Sequence, residues 1–310
     1  MHKIAILGYR FGIYGYLPAL IECGFENIFI NEKGKAFLAK IQQLSHLEKF
    51  IEWNEEEFSE KYFDNIILAL PPIAQYKYIT EKSILSRSKN FILEKPIAPS
   101  PNQSLNIIHE ISKRKINYKV NYSFLYTNWY STVRNRILSL DADCKVKISW
   151  CFKAYHFQHK IDSWKQYNSL GGGAIRFYGI HLIAFLSSLG YLDINESIGY
   201  HYSKDIIYKW KCSLTKTELL PEIDLTLDSD ASFISFRISC IKNDQENILL
   251  NLSSPFEMEE NIKGYDQRVS PLIRFIEKKE TCSDIGWQEN VIELWQSIED
   301  NLILNQNNVK

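Results

Sequence analysis

The chain has no surplus of charge of either sign. Its 310 residues carry 36 lysines and arginines against 37 aspartates and glutamates, a formal net charge of -1 at pH 7. It therefore lacks the basic balance that draws a protein to nucleic acid or to an anionic membrane, and neither is an expected partner. The six cysteines, Cys23, Cys144, Cys151, Cys212, Cys240 and Cys282, include no close pair at metal-ligand or redox spacing. No metal site is expected, and the cysteines read as reduced core thiols of a cytosolic protein. Long apolar runs are missing too. The longest, Ile180 to Leu192, is interrupted by Ser187, Ser188 and Gly190 and falls short of the roughly 20 residues of a membrane span. Met1 to Leu7 enter a strand pattern directly, with no charged region, signal-length apolar run or cleavage site, so the expected location is the cytoplasm. No internal repeat or low-complexity linker is visible.

What is present is a globular composition, 45% hydrophobic and 14% aromatic. The length exceeds the roughly 250 to 300 residues over which one core keeps growing, so two domains are the default. The first 123 residues alternate short apolar runs with longer amphipathic ones, the pattern of βαβ units on a parallel sheet. Strands are predicted at Lys3 to Leu7, Asn27 to Asn31, Asn65 to Leu70, Asn90 to Glu94 and Asn117 to Asn121, with a short edge strand near Glu48 to Trp53. Helices are predicted at Ile13 to Glu22, Lys33 to Leu44, Ala74 to Ser86 and Pro101 to Arg114. After Tyr122 comes a helix from about Thr127 to Leu140. Alternating segments follow, at Val146 to Phe152, Glu196 to Tyr202, Ile207 to Leu214, Glu222 to Leu227, Ser232 to Cys240 and Glu246 to Ser253, which read as half-buried antiparallel strands. A helix from Ala174 to a C-terminal cap at Gly190 interrupts them, and helices at Pro271 to Lys279 and Gly286 to Asn305 close the chain. The expected domains are residues 1–123, binding a dinucleotide, and 124–310, binding substrate and forming oligomers.

Three features of the first domain carry chemistry. Gly8, Tyr9, Arg10, Phe11 and Gly12 follow the first strand and lead into a helix, where backbone N–H groups and the helix dipole can hold a pyrophosphate. The match to the usual glycine fingerprint is imperfect: Arg10 stands where a glycine lets backbone approach phosphate, and Gly12 and Gly15 are out of register. The guanidinium itself is then read as a phosphate ligand. At the end of the second strand, Asn31 can bond a ribose hydroxyl and Lys33 can meet a 2′-phosphate, which tilts the cofactor toward NADP, while Glu32 tilts it toward NAD. The third strand runs into Leu70, Pro71 and Pro72, prolines that stiffen a wall beside a cofactor channel. Finally the buried run Phe91, Ile92, Leu93 ends in Glu94, Lys95 and Pro96. A charged residue closing an apolar strand points to where ligands bind in open α/β sheets.

In the second half, Trp164 precedes Gly171, Gly172, Gly173, Ala174, Ile175, Arg176, Phe177, Tyr178, Gly179, Ile180 and His181. Three glycines let backbone press against a ligand, and His181 falls one turn after Phe177. Arg176 points away from His181 by helical angle and is read as a surface or phosphate contact. With the phosphate turn, the Pro71-Pro72 strand end and the Glu94-Lys95-Pro96 triplet, in this order, the chain resembles the Gfo/Idh/MocA oxidoreductases, named for glucose-fructose oxidoreductase and inositol dehydrogenase, from Ile4 to about Trp295.

The resemblance implies a Rossmann domain plus a C-terminal α+β domain whose open, mainly antiparallel sheet mediates a homodimer or homotetramer. It implies NAD(P)-dependent hydride transfer at a hydroxyl or keto carbon of a sugar or nucleotide sugar, with a place in surface-polysaccharide synthesis as the guess at a pathway. Lys95 matches the family lysine that bonds the reacting oxygen and the nicotinamide ribose, and the Lys95-Pro96 bond is often cis in the family. His181 matches its acid/base histidine. Two departures stand out: Phe177 replaces the usual aspartate, and Gln75, read with Glu94, Lys95 and Pro96 as a cofactor contact, replaces a usual histidine after the two prolines. Without that aspartate a neutral His181 is favoured at pH 7. Proton transfer then leans on Lys95, Tyr178, Tyr122 or Tyr126. His156, Trp164, Gly172, Phe177 and Tyr178 are candidate substrate contacts beside Tyr122 and Tyr126. The Gly-Tyr-Arg-Phe-Gly turn also resembles that of thiazolinyl imine reductases, so reduction of a C=N bond is an alternative, and a non-catalytic nucleotide- or sugar-binding member is another.

Overall fold

Short runs of Ile, Leu, Val and Phe become the strands of a parallel sheet. The computed structural model describes residues 3–54, 61–81, 83–215, 220–278 and 285–306; Cys282 and Lys279 lie outside the described residues. Strands β1 (Ile4–Leu7), β2 (Ile28–Asn31), β3 (Ile51–Asn54), β4 (Asn65–Leu68), β5 (Asn90–Leu93) and β6 (Asn117–Val120) pair in the order β3-β2-β1-β4-β5-β6, all parallel. All four residues of β1 are buried, as a central strand covered on both faces requires. The order reverses between β1 and β4, the place where doubly wound sheets open a crevice beyond the strand ends. Helices α1 (Leu17–Glu22), α2 (Lys35–Leu38), α3 (Pro72–Thr80) and α4 (Pro101–Lys113) follow the strands.

The second sheet holds β7 (Lys145–Lys153), β8 (Ile194–Ser203), β9 (Ile206–Leu214), β10 (Glu222–Asp228), β11 (Asp230–Lys242), β12 (Gln245–Leu252) and β13 (Leu302–Gln306) in the order β12-β11-β7-β10-β9-β8-β13. Four of its six pairings are antiparallel; β10 with β7 and β13 with β8 are parallel. The remaining helices are α5 (Tyr130–Leu138), α6 (Tyr155–Gln158), α7 (Ile180–Leu189), α8 (Val269–Glu277) and α9 (Ile285–Asp300). α7 buries every residue but Ser188 and ends, as expected, on left-handed Gly190 at φ +98°. Among the described residues no helix is long and apolar enough to cross a membrane.

Several elements depart from the sequence reading. The helix expected over Lys33 to Leu44 is split into 3₁₀ turns at Glu32–Gly34 and Gln42–Phe50 around α2. Asn31 caps the first turn by accepting from the Lys33 amide, and Ile41 leaves the helical region at φ -113°, ψ 81°. Residues 48–50 thus belong to a 3₁₀ turn, and the edge strand starts at Ile51. The expected helix Ala74 to Ser86 begins at Pro72, whose fixed φ suits a first helical position, and closes at Thr80. The helix expected from Thr127 starts at Tyr130. The last expected helix stops at Asp300, because Leu302 to Gln306 pair with β8; strand pairing overrides the helical pattern there.

The chain forms two compact units. The first is Met1–Ala98 with Gln103–Tyr126 and Glu259–Ile285; the second is Pro99–Asn102 with Thr127–Met258 and Gly286–Lys310. The division after Tyr126 differs from the expected one after residue 123, and Glu259–Ile285, which the sequence reading assigned to the second domain, returns to the first unit. It returns because α8 is strongly amphipathic: Val269, Leu272 and Phe275 enter the core formed by Ile4, Ile6, Tyr16, Leu17 and Leu20.

Candidate functional site

The site in the first unit begins where β1 ends. Gly8 has φ +100°, and a Cβ there would lie 2.1 Å from the Ala69 carbonyl oxygen; a Cβ on Gly12 would lie 2.6 Å from Ile6 Cγ2. Glycine at both places lets the turn press onto the ends of β1 and β4, where the Ala69 amide donates to the Leu7 carbonyl at 2.8 Å. Gly15, out of register with the usual fingerprint, makes room for the Phe11 ring, 2.5 Å from a would-be Cβ. The chain then coils as a π-helical turn, Gly12–Tyr16, which opens with no acidic side chain and no side-chain cap. Its first amides are left as donors for an anion. Arg10 is exposed and has no hydrogen-bond or ion-pair partner among the described residues. This set fits a dinucleotide's phosphates.

At the end of β2, Asn31 Oδ1 accepts from the Lys33 amide at 3.1 Å. Lys33 is exposed, while Glu32 lies 3.6 Å from Lys35. β4 stops at Leu68, two residues earlier than expected; Leu70 lies beside Gly8, Pro71 is extended and Pro72 opens α3.

The loop after β5 is held from three sides. Gln75 Nε2 donates to the Glu94 carbonyl at 2.8 Å and to the Ile97 carbonyl at 2.7 Å, and its Oε1 accepts from the Glu94 amide at 2.9 Å. Gln75 is fully buried, so it braces the loop and presents nothing to a cofactor, contrary to the sequence expectation. The Glu94 carboxylate accepts from Tyr16 Oη at 2.6 Å and from Asn121 Nδ2 at 2.9 Å. Tyr16 stands on the π turn, so one bond joins that turn to the lysine loop. Lys95 follows, half-buried, and the Lys95-Pro96 bond is cis. Burial raises the Glu94 carboxyl pKa; the bonds from Tyr16 and Asn121, then the charges of Lys95 and Arg268, work against that rise. Arg268 comes from the returning segment. Its guanidinium forks onto Asp266, two bonds of 2.8 Å, and lies 5.0 Å from the Phe11 ring centroid and 5.3 Å from that of Tyr14.

Two tyrosines expected to meet substrate are built into the first unit. Tyr122 is 1% exposed and burial raises its pKa; it is a core residue, because it follows β6 directly into the interior. Tyr126 packs edge-on against Phe275 at 5.1 Å, and its carbonyl accepts from Arg274 at 2.6 Å.

In the second unit the triple glycine serves the chain itself. Gly171 to Gly173 are buried. A Cβ on Gly172 would lie 2.4 Å from the Trp164 carbonyl, and one on Gly173, at φ +77°, 2.0 Å from Asn168 Oδ1. Gly172 is therefore covered by the Trp164–Lys165 backbone and is no substrate contact, contrary to expectation. The structure does bring Trp164, Phe177 and Tyr178 together. Phe177 lies edge-on to Trp164 at 5.2 Å and to Tyr178 at 4.8 Å, Tyr178 continues to Phe152 at 4.9 Å, and Lys165 sits over Phe177 at 5.2 Å. His181 is buried near the start of α7. His156 is buried on α6, with its pKa lowered by burial and by nearby Lys165 against the pull of Asp230.

Arg176 forks onto Glu299 with bonds of 2.7 and 2.6 Å and donates to the Pro99 and Asn168 carbonyls at 2.7 and 2.9 Å, so, contrary to the sequence reading, it is half-buried and its charge is already matched within the chain. It lines a cavity of about 380 Å³ with Asn168, Lys204, Asp205 and Leu302. Among the described residues no cluster of His, Cys, Asp and Glu could hold a metal ion.

Sequence reading missed Tyr16, Asn121 and Arg268. Tyr16 reads as one more apolar residue of a helix, and Arg268 joins the site only through the return of a distant segment. Asn121 carried a weak signal, a polar residue closing β6.

No family model and no curated protein matches the chain. Solved structures do. KijD10, a 3-ketoreductase from Actinomadura kijaniata in complex with NADP and TDP-benzene, is 14% identical over 98% of this chain and 99% of its own, with a TM-score of 0.72. The WlbA (WbpB) dehydrogenase from Thermus thermophilus, in complex with NAD and UDP-GlcNAcA, is 15% identical over 99% and 97%, TM-score 0.69. The WlbA dehydrogenase from Bordetella pertussis, in complex with NADH and UDP-GlcNAcA, is 12% identical over 96% of each chain, TM-score 0.72. At these identities the likeness shows a shared two-domain fold.

Proposed function

We propose that the chain is an NAD(P)-dependent oxidoreductase of the Gfo/Idh/MocA type, acting at a hydroxyl or keto carbon of a sugar or nucleotide sugar. The observation that carries this reading is the Tyr16–Glu94 bond of 2.6 Å, which fastens a phosphate-binding turn and a lysine loop into one site at the reversal point of the sheet. The nucleotide-sugar class is supported by fold likeness to enzymes crystallised with TDP-benzene and UDP-GlcNAcA. The nicotinamide, when bound, supplies or accepts the hydride. Gly8, Gly12 and Arg10 hold the phosphates, and Asn31 and Lys33 take the ribose end. Exposed Lys33 supports NADP, since Glu32 is drawn to Lys35. Lys95 polarises the substrate oxygen and holds or releases its proton. Position 177 offers a hydrocarbon ring packed on Trp164 and no carboxylate, so more of the proton transfer rests on Lys95; His181 is the acid/base candidate that the second unit carries. Exposed Phe233, Ile234, Ile248 and Ile303 on the second sheet support a homodimer or homotetramer formed through it.

Fluorescence titration with NADPH and NADH tests the cofactor: binding at micromolar levels is expected, tighter for NADPH, and failure of both removes the reading. With a panel of nucleotide sugars, Lys95→Ala should lower turnover about a hundred- to ten-thousand-fold while cofactor binding survives. Turnover of a cyclic imine but of no keto sugar would instead favour C=N reduction.

A further inference from the structure

The cavity of about 380 Å³ lies wholly within the second unit, and the proposed hydride transfer makes no use of it. Its frame is the tip of the β8–β9 hairpin, fastened to the 3₁₀ turn Asn168–Leu170. The Asp205 carbonyl accepts from the Asn168 backbone amide at 2.8 Å, and its carboxylate accepts from the Ser169 amide and hydroxyl at 2.6 and 2.7 Å. Lys204, the other residue of that tip, is thereby held at the opening; it is exposed and has no hydrogen-bond or ion-pair partner among the described residues. Arg176 and Glu299 close another side, with both Glu299 oxygens taken by Arg176 and Trp295. Ile207, Leu302 and Leu304 supply an aliphatic wall. Asn168 is the informative member. It is 9% exposed, yet its side-chain amide bonds to nothing among the described residues: Oδ1 is buried without a donor, and Nδ2 meets no acceptor. The turn does not need that amide, because the Asn168 backbone makes the bonds to Asp205 and Arg176. An unsatisfied buried amide costs stability, so its presence calls for a partner from outside the chain.

We propose that this cavity binds an uncharged, hydroxyl-rich molecule of monosaccharide size, with the Asn168 amide and the Lys204 ammonium as its polar contacts and the Leu302–Leu304 side against its C–H surface. Charge decides between ligand classes. Lys204 and Arg176 balance Asp205 and Glu299, so nothing favours an ion of either sign. Donors and acceptors alternate around the wall, and a hydroxyl, which donates once and accepts twice, can meet both. The volume is near the lower end of the roughly 300–1,000 Å³ of small-molecule sites, which suits one sugar ring better than a nucleotide sugar. Occupancy of the cavity does not depend on the oxidoreductase reading.

Saturation-transfer NMR on the whole protein tests this with glucose, galactose and myo-inositol as neutral probes and with glucuronate and glucosamine as charged counterparts. At least one neutral probe should bind with a Kd of about 1 mM or below, and the charged ones should bind more weakly. Asn168→Leu, close in shape, should weaken that probe about tenfold while the melting temperature holds or rises, because it removes two polar groups that the chain leaves unsatisfied. Lys204→Ala should weaken it several-fold, also without loss of stability. Hydrogen exchange should show protection by the probe at residues 203–207 and 302–305. The proposal is overturned if no neutral probe binds by about 10 mM, if a charged counterpart binds better, or if binding survives both substitutions. A lower melting temperature in Asn168→Leu with unchanged probe binding would assign the amide to the fold and overturn it equally. Should Asn168→Leu not fold, Leu304→Trp, made at an exposed position of the cavity wall, fills the space; probe binding should then be lost, and its survival counts against the proposal. Probe binding with these responses in a protein that binds neither NADPH nor NADH would sink the oxidoreductase reading and leave this one standing.

Discussion

Two glycine-rich turns in this molecule each run into a π-helical turn, Gly12–Tyr16 and Ala174–Gly179, and they present different surfaces. At Gly8 to Gly12 the missing side chains let the turn settle on the ends of β1 and β4, leaving helix amides and Arg10 facing outward. At Gly171 to Gly173 the space is filled by the chain's own Trp164–Lys165 backbone and the Asn168 side chain. Glycine marks a close approach in both. What approaches is the chain's own backbone or side chain in each case, so the glycine count does not separate a candidate ligand turn from a structural one, whereas the exposed, unpartnered Arg10 does.

Substitutions can break this contrast. The largest effects should come from Gly8→Ala and Gly172→Ala, whose Cβ atoms would meet backbone oxygen at 2.1 and 2.4 Å; each should cost more than about 3 kcal/mol. Hydrogen exchange should place the Gly8→Ala damage in the first unit, with loss of NADPH binding, and the Gly172→Ala damage in the second, with NADPH binding kept. Arg176→Ala should follow at about 3 kcal/mol, since it strands a mostly buried Glu299 carboxylate; the melting temperature should fall with nucleotide affinity unchanged. Arg10→Ala should do the reverse, weakening NADPH about tenfold by loss of a charge-assisted contact while leaving the melting temperature in place. The smallest effect concerns pH. Burial lowers the His156 pKa below its unfolded value of about 6.5, so its contribution to stability is present above that pH and is lost as pH falls through the folded value. Protection of the second unit should therefore decline below about pH 6.5, and His156→Phe should flatten the slope.

The parallel sheet was legible because each of its strands is a short apolar run bounded by polar residues, and β1 to β6 fall within a few residues of expectation. Lys95 stands out in the sequence for the same reason, as a charge closing such a run. Hidden features involved residues whose meaning depends on distant partners. Arg176 sits on a helix face that would be solvated but for Glu299, and Gly172 faces a backbone eight residues upstream. β13 was hidden because five residues after a helix carry too short a pattern to separate strand from one more turn.

The return of Glu259–Ile285 to the first unit has a consequence during synthesis. The ribosome delivers residues 1–126 first, yet Val269, Leu272 and Phe275, which cover Tyr16, Leu17 and Leu20, come only after residues 127–258 have emerged. Throughout that interval the nascent first unit displays an uncovered apolar groove, a surface that chaperones bind and that neighbouring chains can join. A fragment ending at Tyr126 would keep that groove permanently, and on this account it should be a self-associating fragment instead of an independent small domain.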